Sequence, residues 1–397
     1  MKKQIKNNVH WVGKVDWELE RFHGDEYTTE HGSTYNSYLI QEEKTVLIDT
    51  VWLPFAEEFV ENLAMEIDLS KIDFIVANHG EVDHSGALPA LMKRIPNAPI
   101  YCTANGVKSL KGQYHQDWNF IVVKTGDKID IGNGKQLIFV EMPMLHWPDS
   151  MATYLTGDNI LFSNDAFGQH YAMDKVFNDL ADPCILEKEA MKYYANILTP
   201  FSAILRKKLE EIASFGLTID IIATSHGVVW RDNPMQIVEK YAAWAKDYQE
   251  NQVTVIYDTM WNGTKLMAEK ISEGISAANP GVTVKVFNLA KSDQNDLMIE
   301  VFRSKMVVMG SPTVSNSILH SVAGFIHFMK ELKFKNKKAA AFGCYGWSGE
   351  GTKVLSELLT GAGFSVMDEG FKHMWNLDQE GQLSAVEYGR KIGKELY

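Results

Sequence analysis

Short apolar runs separated by polar turns predict that the chain up to about residue 240 is rich in β-strands. Strands are predicted at residues 37–40, 45–48, 74–77, 121–123, 136–140, 160–163 and 219–223. Two turn sequences, Gly-Asn-Gly at 132–134 and Thr-Gly-Asp-Asn at 156–159, indicate hairpins between neighbouring strands. A helical stretch is expected at residues 185–211, so the first part of the chain is predicted to have a mixed α/β fold.

From about residue 251 the pattern changes to a regular alternation of strands and helices. Strands are predicted at residues 253–257, 282–287, 306–309, 339–342 and 364–368, and the helices between and after them at 265–278, 293–303, 318–330, 350–360 and 378–395. This alternation is typical of a doubly wound parallel sheet, here with five strands. We therefore predict two domains, residues 1–248 and residues 249–397.

Composition and charge exclude several classes of protein. The chain has 397 residues, of which 45% are hydrophobic and 23% charged, which is typical of a globular protein rather than a disordered one. Its formal net charge of −12 disfavours nucleic acid as a partner, because an acidic surface repels phosphate groups. The longest apolar runs are too short to span a membrane, and the basic N-terminus lacks the apolar run of a secretory signal, so we expect no membrane partner.

The cysteines indicate the redox compartment. Cys102, Cys184 and Cys344 are far apart and form no C-x-x-C pair, which excludes a disulfide framework, a zinc ribbon and a rubredoxin-type iron site. Their odd number fits a reducing cytosol. We therefore expect a cytoplasmic protein.

Four potential metal ligands lie within six residues, directly after a predicted strand. They are His79, Glu81, Asp83 and His84, in the pattern H-x-E-x-D-H. A solvated polar turn would explain any one of them alone. Together they predict a metal site at the carboxyl end of the strand, because imidazole and carboxylate groups are the common protein ligands of transition metals.

Three more candidate ligands occupy similar positions later in the chain. His146, Asp165 and His226 each follow a predicted apolar strand. Polar residues that follow several strands can gather along one rim of a sheet. We therefore expect all seven residues to converge.

These segments resemble the metallo-β-lactamase superfamily, whose signature is H-x-H-x-D-H followed by later His, Asp and His residues. The resemblance covers roughly residues 30–240 and implies an αββα sandwich. Glu81 departs from the hydrolase pattern, which has histidine at that position. A more anionic ligand set favours iron or manganese over zinc. Asp165, central in the order, is the expected bridge between two metals.

The loops after the strands of the second domain indicate a mononucleotide site. Ligands of open α/β sheets bind outside the carboxyl ends of the strands. The loop at 258–264 is rich in hydroxyls and opens a helix, which suits one phosphate, and it has neither a dinucleotide-binding nor a P-loop motif. The loops at 311–316 and 343–349 follow later strands at the same edge and supply hydroxyls, an amide and aromatic faces. Ordinary turn chemistry would explain any one of these loops alone.

Taken together, the three loops resemble those of a flavodoxin that binds flavin mononucleotide (FMN). In this resemblance Trp347 flanks the isoalloxazine ring, and Thr259, Asn262 and Thr264 hold the phosphate. The full set of residues expected at FMN is Thr259, Met260, Trp261, Asn262, Gly263, Thr264, Ser311, Pro312, Thr313, Val314, Asn316, Gly343, Tyr345, Gly346, Trp347 and Gly349.

The fusion of these two domains resembles the flavodiiron proteins over nearly the whole chain. Members of this family use two non-haem irons and FMN to reduce dioxygen to water, nitric oxide to nitrous oxide, or both. The resemblance implies one iron on His79, Glu81 and His146, a second on Asp83, His84 and His226, and Asp165 as the bridge. His84 is the least secure of these ligands, since water replaces its counterpart in some members. His23 and Tyr194 match positions that lie next to the metal ligands in relatives, which implies that they can donate protons or hydrogen bonds to a bound diatomic molecule.

The resemblance also implies partners. Electrons are expected from an external donor, either a rubredoxin-like or ferredoxin-like protein or the reduced cofactor F420, because no electron-transfer module follows Tyr397. Domains of these sizes have radii of gyration of roughly 18 and 15 Å, so electron transfer between their centres within one chain would be slow. We therefore expect a head-to-tail homodimer, or a dimer of such dimers, with Trp147 at the contact.

Two other functions remain open at this point. One is a metal-dependent hydrolase with thioesterase-like activity and a regulatory flavodoxin domain, although Glu81 argues against it. The other is an electron-transfer or sensing module with a structural metal. The sequence does not choose between dioxygen and nitric oxide.

Overall fold

The computed structural model describes residues 2–396. It divides into two compact units: the first contains Met1–Tyr194 and Phe201–Ala243, and the second contains Ala195–Pro200 and Trp244–Tyr397. Each unit is described separately below.

Two sheets form the centre of the first unit. A seven-stranded sheet has the order β1-β2-β7-β8-β9-β10-β11, and a five-stranded sheet has the order β12-β13-β14-β15-β16. Side chains from both sheets, such as Tyr38 and Phe74 from one and Phe139 and Phe162 from the other, share one buried apolar cluster. The strands are β1 (Lys3–Lys6), β2 (Val9–Trp11), β3 (Lys14–Asp16), β4 (Arg21–Phe22), β5 (Tyr27–Thr28), β6 (Ser33–Tyr35), β7 (Tyr38–Gln41), β8 (Thr45–Ile48), β9 (Ile72–Val76), β10 (Ile100–Cys102), β11 (Phe120–Val122), β12 (Lys128–Gly132), β13 (Lys135–Glu141), β14 (Met151–Leu155), β15 (Ile160–Asn164) and β16 (Ile221–Thr224).

Helices connect these strands. They are α1 (Ala56–Glu66), α2 (Val82–Ser85), α3 (Leu88–Arg94), α4 (Ala104–Tyr114), α5 (Pro183–Tyr193), α6 (Ser202–Ser214) and α7 (Met235–Trp244). The single helical stretch predicted at residues 185–211 is interrupted by a π-helical turn at Tyr194–Leu198 and a 3-10 turn at Thr199–Phe201. Pro200 accounts for the break, since proline lacks an N–H and disfavours helical geometry in the residue before it.

Parallel pairing positions the candidate metal ligands. Strand β8 runs parallel to β9 in one sheet, and β15 runs parallel to β16 in the other. Parallel strands end at the same edge of their sheet. The carboxyl ends of β15 and β16 are further tied together, because the backbone N–H of Ser225 donates to the Asn164 carbonyl at 2.9 Å and the Asn164 amide donates to the Ser225 hydroxyl at 3.0 Å.

The second unit contains one parallel sheet covered by helices. Its strands are β17 (Glu250–Tyr257), β18 (Thr283–Asn288), β19 (Ser304–Gly310), β20 (Lys338–Tyr345), β21 (Ser365–Val366) and β22 (Phe371–Met374), and its helices are α8 (Gly263–Ala278), α9 (Gln294–Arg303), α10 (His320–Glu331), α11 (Gly351–Gly361) and α12 (Gln379–Lys394). The strand order is β18-β17-β19-β20-β21, a doubly wound, flavodoxin-like order.

The fifth position of this sheet differs from the sequence prediction. Two short strands, β21 and β22, share it and both pair in parallel with β20. The chain turns between them at Gly370, whose φ of 90° suits only glycine. The predicted strand at 364–368 therefore covers β21 alone, and β22 was missed.

No helix between residues 2 and 396 is both long enough and apolar enough to cross a membrane.

Glycines let helices α8 and α12 pack backbone to backbone. A Cβ atom at Gly389 would overlap with the Ile271 carbonyl oxygen, and one at Gly274 would overlap with the Val386 carbonyl oxygen. We expect Gly389→Ala to lower the free energy of unfolding by about 1–3 kcal/mol, because the helices must separate to admit the methyl group. Urea denaturation followed by circular dichroism measures the loss.

Gly324→Ala is the matched control for this substitution. Gly324 lies inside helix α10 and a Cβ atom there would meet nothing within 4 Å. Alanine is the better helix former by about 1 kcal/mol, so we expect this variant to be at least as stable as the parent. Equal stability of the two variants would contradict the close packing of α8 and α12.

Candidate metal centre and flavin cleft

The H-x-E-x-D-H segment begins in the loop after β9 and ends in the short helix α2. All four of its candidate ligands are buried, with at most 8% of any residue exposed. The loop turns tightly at Gly80, whose N–H donates to Asp149 Oδ2 at 2.6 Å. A Cβ atom at Gly80 would lie 2.6 Å from the Ser109 Cβ and 2.8 Å from Asp149 Oδ2, so only glycine fits.

Turns at the ends of other strands bring the remaining candidate ligands to the same place. His146 lies in a turn after β13, closed by a hydrogen bond from the Met144 N–H to the Trp147 carbonyl at 2.7 Å. Asp165 and His226 follow β15 and β16 and are 1% exposed.

One group of donor atoms surrounds Glu81. Its Oε2 atom lies 3.2 Å from His79 Nε2 and 3.4 Å from His146 Nε2. The same two nitrogens lie 3.7 and 3.4 Å from Asp165 Oδ2. These atoms face one another across a space of the size that one metal ion requires.

A second group surrounds Asp83. Its Oδ2 atom lies 3.2 Å from His84 Nε2 and 3.0 Å from His226 Nε2. Both nitrogens also approach Asp165 Oδ1, at 3.0 and 3.7 Å. Asp165 therefore presents one carboxylate oxygen to each group, which is the geometry of a bridging ligand.

Several of these donor atoms lack hydrogen bonds, as expected if one metal ion occupies each group. Both oxygens of Asp83, both oxygens of Asp165 and Nε2 of His84 are buried without a hydrogen-bond partner among the described residues. Buried polar atoms of this kind are costly unless something satisfies them. Ligand atoms from His79, His146 and Asp165, and from Asp83, His84 and His226, lie within 4.8 Å of one another in each set.

The electrostatics of the centre also favour bound cations. Burial lowers the pKa of His84 and His146, but the negative charges of Asp83 and Asp165 close to His84, and the close approach of Asp165 and Glu81 to His146, raise both pKa values to about 9. Burial raises the pKa of Asp165, but the surrounding imidazoles outweigh it and hold that pKa well below its usual range. The carboxylates therefore attract positive charge strongly, and metal ions can take the place of the imidazole protons.

Hydrogen bonds from outside the centre orient two of the imidazoles. Asp149 Oδ2 lies 3.3 Å from His79 Nδ1, and the Thr34 carbonyl accepts from His226 Nδ1 at 2.7 Å. Each bond turns Nε2 of its ring toward the centre. The sequence analysis did not predict either partner, although Asp149 lies in the same Trp-Pro-Asp turn as His146.

His23 lies beside the centre, as predicted. It is in the turn of the β4–β5 hairpin, and its Nε2 lies 3.1 Å from Glu81 Oε1. Its side chain is 32% exposed, so it lies between the centre and solvent.

The structure gives two contacts of Tyr194, the other residue expected beside the centre. The Tyr194 hydroxyl hydrogen-bonds with Ser202 at 2.9 Å, and its ring packs against Tyr241. The preceding residue, Tyr193, instead lies with its ring centroid 5.4 Å from that of His170 and 6.5 Å from that of His226. A role for Tyr194 beside the diatomic molecule therefore stays a prediction.

A cleft of about 480 Å³ lies at the carboxyl edge of the sheet in the second unit. Its lining includes eleven of the residues expected at FMN: Thr259, Met260, Trp261, Gly263, Pro312, Thr313, Val314, Asn316, Tyr345, Gly346 and Trp347. The Thr259 Oγ1 atom lies at this cleft and is buried without a hydrogen-bond partner among residues 2–396. Its hydroxyl is therefore available to donate a hydrogen bond to a phosphate oxygen. Ser315, Cys344 and Ser348 also line the cleft and lie within the predicted loops, although outside the expected set of residues. Trp375 and Asn376 line it from a segment that was not predicted.

The other five predicted FMN residues lie outside the lining. A Cβ atom at Gly343 would overlap with the Ser311 carbonyl oxygen, and Gly349 has a φ of 74°. The Thr264 hydroxyl lies 3.4 Å from the Cys344 thiol. The Ser311 hydroxyl accepts from the Leu319 N–H at 3.0 Å. Asn262 precedes helix α8 with a φ of 65°. Direct FMN contacts by Asn262, Thr264, Ser311, Gly343 and Gly349 stay predictions.

Comparison with known proteins finds a family match for each of the two domains. A family profile described as ODP family β-lactamase matches residues 34–227, and the flavodoxin profile matches residues 255–389. The anaerobic nitric oxide reductase flavorubredoxin of Escherichia coli O1:K1 is 57% identical over 392 residues, which cover 98% of this chain and 82% of the relative.

Two solved structures extend the similarity to the whole fold. The rubredoxin oxygen:oxidoreductase of Desulfovibrio gigas is 36% identical with a TM-score of 0.95, over 100% of this chain and 98% of that one. The flavodiiron protein of Giardia intestinalis is 35% identical with a TM-score of 0.95, over 100% and 97%. This chain belongs to the flavodiiron protein family.

Membership confirms the main sequence predictions. This flavodiiron protein has a metallo-β-lactamase-like domain followed by a flavodoxin-like domain, and its cofactors are two irons and FMN. It is an oxidoreductase that acts on nitric oxide or dioxygen with electrons from a donor. The assignment favours this function over the hydrolase and sensing alternatives.

The contact between Asp149 and His79 generates a prediction for this flavodiiron protein. We expect Asp149→Asn to lower iron affinity by about 10- to 100-fold, because the amide no longer fixes the tautomer and orientation of His79. Iron retained per chain during dialysis against a chelator measures the effect.

Asp117→Asn is the control for this variant. The Asp117 side chain is 90% exposed and its ion pair with Lys111 lies on the surface. Retention of parental iron in D149N would show that the Asp149 contact does not support the centre.

Proposed function

We propose that this flavodiiron protein reduces nitric oxide to nitrous oxide in the cytoplasm, with dioxygen as a secondary substrate. The choice of nitric oxide is supported by the curated relative named a nitric oxide reductase, which is 57% identical, whereas the structure named an oxygen:oxidoreductase is 36% identical. In the proposed reaction, two nitric oxide molecules take up two electrons and two protons and give one nitrous oxide and one water.

In this proposal seven side chains hold the two irons. The observation that carries it is the position of Asp165, whose two oxygens face two separate groups of imidazole and carboxylate donors. His84 is included, because its Nε2 is 3.0 Å from Asp165 Oδ1 and 3.2 Å from Asp83 Oδ2. The proposed ligands are His79, Glu81 and His146 for one iron, Asp83, His84 and His226 for the other, and Asp165 for both.

The protein's own groups prepare the centre for this reaction. When bound, a diiron(II) pair supplies two electrons and reduced FMN supplies two more. The buried carboxylates hold the metal charge in an environment with little water, where electrostatic interactions are strong. His23 Nε2, 3.1 Å from Glu81 Oε1 and partly exposed, is placed to pass protons from solvent toward the centre.

The proposal includes an external electron donor. We favour a small rubredoxin-like protein, since the Desulfovibrio gigas structure is named for rubredoxin. A ferredoxin-like protein or reduced F420 would take its place if either reduces the bound flavin faster.

The functional assembly in this proposal is a head-to-tail homodimer or a dimer of such dimers. Large apolar side chains are exposed around the flavin cleft: Trp261 is 86% exposed, Trp347 82% and Met260 56%. Exposed apolar patches of this kind are typical of interaction surfaces. A second chain that presents its metal centre here would shorten the path for electrons.

We expect the reduced protein to react faster with nitric oxide than with dioxygen. Anaerobic stopped-flow mixing with each gas measures the rates of flavin reoxidation, and gas chromatography measures nitrous oxide. Faster reaction with dioxygen would reverse the substrate order. A protein that carries two zinc ions and hydrolyses thioesters would contradict the whole proposal.

We expect His84→Asn to lose turnover while FMN content stays unchanged, because His84 belongs to the metal centre and not to the cleft. Iron content and flavin absorbance of the same sample separate the two effects. His327→Asn is the control, since the His327 side chain is 72% exposed and contacts Glu331 on the same helix. Full turnover and full iron content in H84N would remove His84 from the ligand set.

A further inference from the structure

A fourth segment reaches the flavin cleft, beyond the three loops that the sequence indicates. Residues Trp375 and Asn376 directly follow β22, which pairs in parallel with β20 and therefore ends at the same edge of the sheet. The Trp375 N–H donates to the Tyr345 carbonyl at 2.7 Å. This bond ties the segment to the third predicted flavin loop.

The backbone of Trp375 is strained. Its φ is 59°, in the left-handed region that bulky side chains avoid. Strained residues of this type persist where the surrounding structure holds them, and they concentrate at ligand sites. Burial does not account for the conformation, because Trp375 is 62% exposed.

The indole of Trp375 is placed as a wall of the cleft. Its Cη2 atom lies 3.0 Å from the position that a Cβ atom at Gly346 would occupy, so the glycine leaves room for the ring against the loop backbone. The ring centroids of Trp347 and Trp375 are 6.4 Å apart, and their planes meet at 60°. The two indoles therefore do not stack on each other, and both line the cleft in which a planar ligand would lie.

Asn376 adds a polar group at the same place. Its Oδ1 atom lies 3.0 Å from the position that a Cβ atom would have at Gly263, the first residue of helix α8. An amide side chain offers both donors and an acceptor. Such a group matches the hydroxyls of the ribityl chain, which joins the isoalloxazine ring to the phosphate expected beside this helix N-terminus.

We propose that Trp375 and Asn376 form a fourth flavin-binding segment, in which the strained Trp375 is an aromatic wall for the isoalloxazine ring and Asn376 contacts the ribityl chain. This inference rests on FMN as the cofactor but not on the choice between nitric oxide and dioxygen. It assigns these two residues to the flavin itself rather than to a contact between chains.

The experiment titrates the full-length protein, after removal of its flavin, with FMN and with riboflavin. Aromatic stacking on a planar base contributes enough affinity that Trp375→Ala is expected to raise the Kd for both ligands by about tenfold or more. Thr259→Val, at the predicted phosphate end, should weaken FMN and leave riboflavin unchanged. Asn376→Ala should weaken both ligands.

Two further variants separate binding from folding. Trp375→Gly accepts a positive φ without strain, so we expect it to bind flavin as weakly as W375A while its unfolding midpoint in urea stays at or above that of the parent. Trp375→Phe keeps an aromatic face and should recover most of the affinity. Trp17→Ala, which removes an indole that is 57% exposed in the first unit, is the control.

Sedimentation of the same variants tests the competing role of Trp375 in chain association. Kd values for FMN and riboflavin within twofold of the parent in W375A and W375G would overturn the proposal, whether or not association changes. If the parent protein itself binds no FMN, the assignment of FMN as the cofactor is wrong. This outcome is distinct from a failure of the proposal about Trp375 and Asn376.

Discussion

The first unit is organised around the burial of Asp165 between two sets of imidazole and carboxylate groups. A buried carboxylate without a partner is costly, and Asp165 has no hydrogen-bond donor on either oxygen among the described residues. The proposed pair of cations, sharing this carboxylate, would relieve the cost. The parallel pairs β8–β9 and β15–β16, the glycine at residue 80 and the tie between Asn164 and Ser225 all serve to bring the ligands to this point.

The second unit meets a different requirement. Flavin chemistry needs a planar cofactor held at an accessible edge, so the residues around the cleft stay exposed instead of buried. Glycines at the loop positions let aromatic rings lie against the backbone, as Gly346 does for Trp375. The unit tolerates local strain at Trp375 because the remaining sheet and the close packing of α8 on α12 stabilise it.

The sequence predicted the candidate metal ligands more completely than the residues that hydrogen-bond to them. His79, Glu81 and Asp83 stand close together in a recognisable pattern, whereas Thr34 and Asp149 become visible only when distant segments meet. The flavin loops that were predicted are those that follow strands with clear apolar patterns. The fourth segment was missed because β21 and β22 are two and four residues long, too short for a periodic signal.

The amino-acid sequence alone predicts the order of the two domains, the seven candidate metal-site residues and a carboxylate at position 81, where the hydrolases have histidine. These properties depend on residue type and local spacing, which the chain carries directly. The three-dimensional structure was needed to show that Asp165 faces both donor groups, that Tyr193 lies near His170 and that Trp375 lines the flavin cleft. Those properties depend on the direction of side chains from elements far apart in sequence, which packing alone sets.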